Sequence, residues 1–189
     1  AALARITEAI RTMPEEPISS IKFVTTEIGD VILALKSSDN SRSLIDARVL
    51  SDGTLRALAI LTAAETAESG SRLSIEELDN GVHPSRVAGL VRHIIECGKR
   101  RKLNVLCTTH NPALLDQLEP GELETVVVCH RGTEGSLLTP LNQIPRVQEI
   151  LVGGRLGDLV TRNVIEKYLE PNYDSQRREN LRRVLEELR

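Results

Sequence analysis

The sequence predicts an α/β protein in which a parallel sheet is flanked by helices. Short apolar runs at 72–75, 103–108 and 125–129 have the length of strands, and helical patterns separate them. This alternation of strand and helix is typical of a parallel sheet with crossover helices. The composition agrees with a folded domain, because 40% of the 189 residues are hydrophobic and 27% are charged.

The first third of the chain predicts one helix, a hairpin and a second helix. Leu3, Ile6, Ile10 and Met13 form one helical stripe, which Pro14 ends. Two strands, 18–27 and 31–36, are expected on either side of a turn at Gly29-Asp30. A polar loop (37–43), a third short strand (44–50) and a helix (54–68) follow.

The rest of the chain carries the alternating pattern. After the strand at 72–75, Pro84 opens a helix with an amphipathic stripe, and Gly98 is expected to close it. The run 103–108 is interpreted as a buried strand, 112–118 as a short helix and 125–129 as another strand. The tail 155–189 is expected to be helical, with an interruption at Pro171-Asn172.

The composition excludes several classes of function. One Phe, two Tyr and no Trp cannot form the aromatic platforms on which single-stranded nucleic acids stack. A net charge of −3 argues against a surface that binds phosphate throughout. Three scattered cysteines give neither a disulfide framework nor a zinc site. The cysteine pattern predicts a reduced, cytoplasmic protein. Because no apolar run reaches ~18 residues, we expect no segment that spans a membrane.

The first motif, Leu50-Ser51-Asp52-Gly53-Thr54, precedes a long helix. Ser51 is a good N-cap, and Gly53 leaves the backbone open near the helix start. Backbone N–H groups, the hydroxyl and the positive end of the helix dipole would converge there on an anion. The alternative interpretation is an ordinary capped helix.

The second motif places two carboxylates, Glu76 and Glu77, where an apolar strand ends, before an Asn80-Gly81 turn. Catalytic loops of α/β proteins lie at that edge of the sheet. One carboxylate can hold Mg²⁺, usually through water, while its neighbour takes a proton from an attacking water. The alternative is a capping box from Ser74 to Glu77, whose helix would run for only a few residues.

The third motif ends another apolar strand with Thr108, Thr109 and His110, and a helix follows Asn111. A single histidine in such a place is often a structural residue, and this alternative stays open. His110 nevertheless falls on the same predicted sheet edge as Glu76 and Glu77.

Together the three motifs resemble the distal half of an ABC-type ATPase head of the kind found in RecF, SMC and OLD-like proteins. They are most similar to the bacterial AAA ATPases related to those proteins. LSDGTLR resembles the signature motif, IEELDNGVHP the Walker B segment with its D-loop, and TTHNPALLD the switch-histidine segment. The resemblance implies a P-loop NTPase-like fold that is incomplete without its N-terminal lobe. It divides the chain into the end of the preceding region (1–43), a distal ATPase lobe (44–140) and a C-terminal helical extension (141–189).

The resemblance also implies roles for particular residues, with ATP and Mg²⁺ as cofactors. Glu76, where the family usually has Asp, takes the Mg²⁺ position through water, and Glu77 that of the general base. His110 contacts the γ-phosphate. Ser51, Asp52 and Gly53 would bind the ATP of a second subunit, while Asp79, Asn80 and Gly81 would meet that subunit. These roles imply a head-to-tail homodimer joined by ATP.

One required element is absent from the sequence. A P-loop needs G-x-x-x-x-G-K-[ST], and the only Gly-Lys pair here is Gly98-Lys99, at the end of a helix. We therefore expect the chain to be a piece of a longer protein and to need the N-terminal lobe of the same ATPase. Alone, it is expected neither to bind ATP tightly nor to hydrolyse it.

The resemblance suggests a bacterial DNA-repair or phage-defence ATPase, with DNA and a nuclease or effector as partners. The basic run Lys99, Arg100, Arg101 and Lys102 is a candidate nucleic-acid contact; its alternative is a solvated loop that complements a helix C-terminus. The sequence has two alternative functional interpretations. A Toprim-like nuclease needs an Asp-x-Asp pair, which the sequence lacks, and a non-hydrolysing module that docks a nuclease stays open.

Overall fold

The computed structural model describes residues 2–14, 18–38, 44–132, 135–170 and 173–187. The chain divides into two compact units, Ala1–His110 and Asn111–Arg189. This boundary differs from the sections 1–43, 44–140 and 141–189 expected from the sequence, which stay a prediction about the parts of an ATPase head.

In its described residues, the first unit contains three α-helices and two small sheets. The helices are α1 (Ala2–Thr12), α2 (Asp52–Thr66) and α3 (Pro84–Arg101), and the strands are β1 (Ile18–Thr25), β2 (Val31–Ser37), β3 (Leu44–Asp46), β4 (Arg72–Ile75) and β5 (Asn104–Cys107). β1, β2 and β3 form an antiparallel sheet in that order. β4 and β5 pair in parallel, with α3 as their crossover. The βαβ unit predicted from the sequence is therefore confirmed.

The predicted strand at 44–50 is shorter than expected. β3 ends at Asp46, and residues Ala47–Val49 form one 3-10 turn. The Asp46 carboxylate accepts the Arg48 N–H at 2.9 Å, and this local cap turns the chain out of the strand. Most of the polar loop predicted at 37–43 lies outside the described residues.

α3 does not end at Gly98 as the sequence suggested. The helix continues to Arg101 and is capped by Lys102 in the left-handed conformation, with φ +56. The Gly98 carbonyl accepts the backbone N–H of Lys102, so that glycine lies inside the last turn. Lys99, Arg100 and Arg101 therefore belong to a helix C-terminus, which favours cations, and not to a loop.

The core of the first unit lies among α1, α2 and α3, where apolar side chains from all three helices are buried. They include Ile6, Ile10, Ala57, Leu58, Leu61, Ala64, Val87, Leu90, Val91 and Ile94. β5, predicted as a buried strand, is not buried: Leu106 is 59% exposed and Cys107 is exposed as well. Among the described residues β5 pairs only with β4, so no strand protects its other edge.

The second unit contains a hairpin and several short helices around its own apolar core. Its elements are α4 (Pro112–Leu115), β6 (Val127–Arg131), β7 (Ser136–Pro140), α5 (Val147–Val152), α6 (Leu156–Thr161), α7 (Val164–Leu169) and α8 (Tyr173–Glu187). The core includes Leu141, Ile144, Ile150, Leu156, Leu159 and Ile165. None of the helices in the described ranges is both long and apolar enough to cross a membrane.

The predicted strand at 125–129 has a different partner from the one expected. β6 pairs antiparallel with β7 instead of extending a parallel sheet. The reason is local, because a second run with strand character follows at once. The Gly132 N–H donates to the Gly135 carbonyl at 2.7 Å, where the chain turns back. The helical tail is confirmed as α6, α7 and α8, and the interruption at 171–172 lies outside the described residues.

Candidate nucleotide-binding site

The carboxyl ends of β4 and β5 are joined by backbone and side-chain hydrogen bonds. The Thr108 N–H donates to the Ile75 carbonyl, and the Leu78 N–H donates to the Thr108 carbonyl, both at 3.0 Å. The Thr108 hydroxyl accepts the Glu77 N–H at 3.0 Å. The second and third motifs therefore meet at one sheet edge, as the sequence predicted. The capping-box alternative is wrong, because Ser74 lies in β4.

Glu77 presents its carboxylate at the surface of this edge. One oxygen, Oε2, accepts the Asn80 side-chain N–H at 3.0 Å, and Oε1 lies 3.9 Å from His110 Nε2. The Glu77 side chain is 50% exposed and that of His110 is 89% exposed. His110 is therefore not a buried structural histidine. The pair is accessible to a ligand and close enough to act on the same one.

Glu76 has a side chain that suits a metal contact through water. Its carboxylate is exposed and has no hydrogen bond or ion pair among the described residues. No group of three His, Cys, Asp or Glu side chains in the described ranges could hold a metal by itself. Mg²⁺ in phosphate-transfer sites commonly has one or two carboxylates, several waters and substrate phosphates as ligands. Glu76 fits that role as a single carboxylate.

The Asp79-Asn80-Gly81 turn is held by hydrogen bonds within the first unit. Asp79 Oδ1 accepts the Thr109 hydroxyl at 2.6 Å, and the Asp79 carbonyl accepts the Val82 N–H at 3.0 Å. Gly81 has φ +72, a conformation that favours glycine. Of the three residues expected to meet a second subunit, two have side-chain hydrogen bonds within this unit. Asp79 accepts from Thr109, and Asn80 donates to Glu77.

Ser51 caps α2 as the sequence predicted. Its hydroxyl accepts the Thr54 N–H at 3.2 Å and lies 2.8 Å from the Thr54 hydroxyl. The buried Arg86 donates to that Thr54 hydroxyl at 2.9 Å and to the Pro14 carbonyl at 2.9 Å. Asp52 is exposed in the first turn of α2. The N-terminus of α2 therefore has the geometry of a capped helix, and its binding of an anion stays a prediction.

Gly53 brings the first motif against the second. A Cβ built at Gly53 would lie 2.1 Å from the Gly81 carbonyl oxygen and 3.3 Å from the Val82 Cα. The absence of a side chain therefore lets the start of α2 pack directly on the turn after Glu77. The sequence suggested Gly53 for access to phosphate, and the structure adds this close backbone contact.

Substituting Gly53 by Ala should destabilise the fold by about 1–3 kcal/mol, the range for overpacking a tight contact. Backbone atoms block the new methyl group, so the turn or the helix has to move. The measurement is the urea midpoint of unfolding. Gly89→Ala is the matched control, since its Cβ would meet only the Met13 side chain at 3.7 Å. Equal midpoints for the two variants would contradict the close contact.

Sequence reasoning missed two arginines at this site. Arg56 donates from Nη2 to the carbonyls of Glu76, at 2.6 Å, and Glu77, at 2.9 Å. Arg86 is 5% exposed and joins α3 to Thr54. Arg56 lies one helical turn after Gly53, and that spacing could have placed it on the same face of α2. No sequence spacing of this kind indicates that Arg86 is buried and not an ordinary surface arginine.

The basic run is partly used inside the first unit. Arg100 Nη2 donates to the buried Glu65 carboxylate at 2.6 Å, and Arg101 donates to the Ala67 carbonyl. Two of the four cations are thus turned toward α2 and the loop after it. Binding of nucleic acid by Lys99, Arg100, Arg101 and Lys102 stays a prediction.

The family described as "AAA domain, putative AbiEii toxin, Type IV TA system" matches residues 7–116, more than half of the chain. The chain belongs to this family. The matched AAA domain contains all three motifs and every candidate site residue named above. Comparison with curated proteins gives no match.

Solved structures of SMC ATPase heads share the fold of this AAA domain protein. One, from work on ATP-driven dimerization and DNA-stimulated activation of SMC ATPases, has a TM-score of 0.56 and 12% identity, covering 81% of this chain and 90% of that one. A second is an Smc head bound to the C-winged helix domain of ScpA. It has a TM-score of 0.53 and 12% identity, and the match covers 74% of this chain and 42% of that one. A third is an Smc head with an extended coiled coil bound to the C-terminal domain of ScpA, from Pyrococcus furiosus, with TM-score 0.52, 12% identity, and 80% and 38% covered.

These matches confirm the fold class and the resemblance drawn from the sequence. The protein contains an AAA domain of this family and shares the P-loop NTPase-like α/β fold of SMC ATPase heads. It spans less than half of the two Smc heads that are solved with ScpA domains.

Proposed function

We propose that the chain is the distal lobe of an ATP-binding and ATP-hydrolysing head, in a bacterial DNA-repair or phage-defence ATPase that dimerises head-to-tail on ATP. One observation carries the proposal. Three motifs that are far apart in sequence meet in one unit: Gly53 packs on Gly81, and Glu77 lies between the Thr108 hydroxyl and His110.

Within this site, Glu77 has the geometry of a general base. Asn80 donates to one carboxylate oxygen, and the other, which lies 3.9 Å from His110 Nε2, would accept a proton from a water that attacks the γ-phosphate. His110, on the same exposed edge, would donate to the γ-phosphate and stabilise its charge. Glu76 would hold Mg²⁺ through water, and the ion would neutralise charge on the phosphates.

The N-terminus of α2 would act on the nucleotide of the second subunit. Backbone N–H groups near Ser51, Asp52 and Gly53 and the positive end of the helix dipole favour an anion there. Gly81 packs against Gly53, and Asp79 and Asn80 precede it in the same turn. A P-loop in the N-terminal lobe of the same ATPase would bind the β-phosphate of ATP and supply the Ser or Thr ligand of Mg²⁺.

Two Ser51 variants test ATP-driven dimerisation in the native protein. Asp and Asn cap helices about as well as Ser, so neither substitution should unfold α2. Ser51→Asp places a negative charge where the partner's γ-phosphate would bind and should abolish the ATP-dependent dimer. Ser51→Asn, the matched control, should keep it. The readout is size-exclusion chromatography with light scattering, with and without ATP.

Equal ATP-dependent dimerisation of Ser51→Asp and Ser51→Asn would contradict the role of the α2 N-terminus. No dimer of the wild-type protein with ATP would contradict the head-to-tail arrangement altogether. Because Asp and Asn both cap the helix, the melting temperatures of the two variants should be alike. A lost dimer would then not be due to unfolding.

A second candidate is a non-hydrolysing ATPase-like module that docks a nuclease. Glu76 favours it, because the family it resembles usually has Asp at that position and the longer side chain moves the carboxylate. This module would dimerise with ATP without releasing phosphate. Phosphate release by the wild-type protein would exclude it. DNA and an effector are the partners we propose in either case.

A further inference from the structure

Arg56 connects the start of α2 to the backbone of both candidate acidic residues. A single nitrogen, Nη2, donates to the Glu76 carbonyl at 2.6 Å and to the Glu77 carbonyl at 2.9 Å. Its Nε is buried and has no hydrogen-bond partner among the described residues. The guanidinium is thus inserted next to the turn at the cost of one unsatisfied donor, which indicates that its position matters.

The turn that Arg56 contacts has an unusual backbone. Glu77 has φ +46, in the left-handed region that residues with a side chain rarely adopt. This conformation persists only where surrounding contacts impose it. From one side the Thr108 hydroxyl accepts the Glu77 N–H, and from the other Arg56 binds the Glu77 carbonyl. The peptide groups around the candidate base are therefore held between Thr108, which follows β5, and Arg56 of α2.

We propose that Arg56 is a positioning residue that couples the N-terminus of α2 to Glu77. Arg56 lies one turn after Gly53 on the same helix, so a nucleotide bound at Ser51 and Gly53 displaces or steadies Arg56 with it. The guanidinium passes that change to the carbonyl of Glu77 and so to its carboxylate. The partner's ATP thereby regulates hydrolysis in this subunit. This inference rests on the proposed function.

Other contacts hold α2 independently of Arg56. Gly53 packs on Gly81, and Arg86 joins Thr54 to the chain at Pro14. The helix and the fold should therefore survive the loss of Arg56. A residue that only stabilised the fold would not change the catalytic turn selectively, and this difference makes the inference testable.

The experiment compares Arg56→Met and Arg56→Lys with Arg72→Met, a control at an exposed arginine at the start of β4. In the native ATPase, Arg56→Met should lower kcat about 10²-fold, the effect of misplacing a catalytic group by about 1 Å. The Kd for ATP should stay unchanged, because the P-loop supplies it. Arg56→Lys keeps a cationic N–H donor group and should therefore retain more of kcat than Arg56→Met. Arg72→Met should match wild type.

A second readout uses the native ATPase without nucleotide. Hydrogen–deuterium exchange of the Glu77 and Leu78 amides, which bond to Thr108, should be at least several-fold faster in Arg56→Met. The urea midpoint and the exchange in α3 should not change. Unchanged exchange at 77–78, or an unchanged kcat, would overturn the inference, as would equal loss in Arg56→Met and Arg72→Met.

The outcome for Arg56 is separable from that for the proposed function. If Glu77→Gln retains full turnover in the same assay, the assignment of the base fails. If Glu77→Gln loses turnover while Arg56→Met retains it, only the coupling fails. A global loss of stability in Arg56→Met that Arg56→Lys does not repair would show a purely structural residue and would also overturn the inference.

Discussion

Substituting Glu77 by Gln should lower kcat for ATP hydrolysis by about 10²–10⁴-fold, the usual contribution of a general base. Gln has nearly the same shape, and its carbonyl oxygen can still accept the Asn80 side-chain N–H that Glu77 Oε2 accepts now. What is lost is the capacity to take a proton from water. Phosphate release under single-turnover conditions measures the effect.

The same variant should still dimerise with ATP, because the P-loop and the N-terminus of α2 are untouched. Glu68→Gln, at an exposed glutamate after α2, is the control for removing one negative charge from this unit. A Glu77→Gln protein with wild-type kcat would disprove the assignment of the base. One that no longer dimerises would show that the carboxylate serves assembly and not only proton transfer.

Substituting Glu65 by Ala should lower the free energy of unfolding by about 3 kcal/mol, the lower end of the range for breaking a buried ion pair. The Glu65 side chain is fully buried and accepts Arg5 Nε and Arg100 Nη2, each at 2.6 Å, with His93 Nε2 3.0 Å away. These contacts join α1, α2 and α3. Both arginine side chains are partly exposed, 37% and 43%, and can regain water, so the lower end applies.

Urea unfolding of Glu65→Ala, Glu65→Gln and the Glu68→Gln control checks this expectation. Gln keeps the volume and loses the charge, so it separates packing from electrostatics. We expect Gln to be less harmful than Ala and more harmful than the control. A change at Glu65 no larger than that at Glu68 would contradict the ion cluster.

The same carboxylate should make stability depend on pH. Burial by itself would raise the pKa of Glu65, but the hydrogen bonds from Arg5 and Arg100 outweigh it and hold the pKa below its ordinary value of 4.5. A lowered pKa in the folded state means that the contribution of Glu65 is complete above 4.5. It is lost as the pH falls through the folded-state pKa. Glu65→Gln should therefore flatten the acid limb of the stability curve.

Much of the candidate site was predictable because its signals are local. Glu76 and Glu77 follow one short apolar run and His110 another, and parallel strands end at a common edge. Ser51 predicted the start of α2, because serine is a preferred N-cap residue. The pairing of the run at 125–129 was not predictable, since an apolar strand carries no mark of whether its neighbour is parallel or antiparallel.

The residues that connect the motifs were not predictable either. Arg56 and Glu65 look like ordinary polar positions of a helix, and only the packing of α2 on its neighbours shows one bound to two carbonyls and the other buried among arginines. The predicted end of α3 was also wrong. Gly98 lies inside the helix, and Lys102, four residues later in the left-handed conformation, supplies the C-cap.

By itself the sequence determined the βαβ unit, the three motifs and their order, since periodicity, caps and strand ends depend on neighbouring residues. Only the tertiary structure decided how the motifs touch: Gly53 on Gly81, Arg56 on the turn of Glu77, and Glu65 among three helices. Contacts between residues 20 to 60 positions apart depend on how helices and strands pack, and no local pattern encodes that packing.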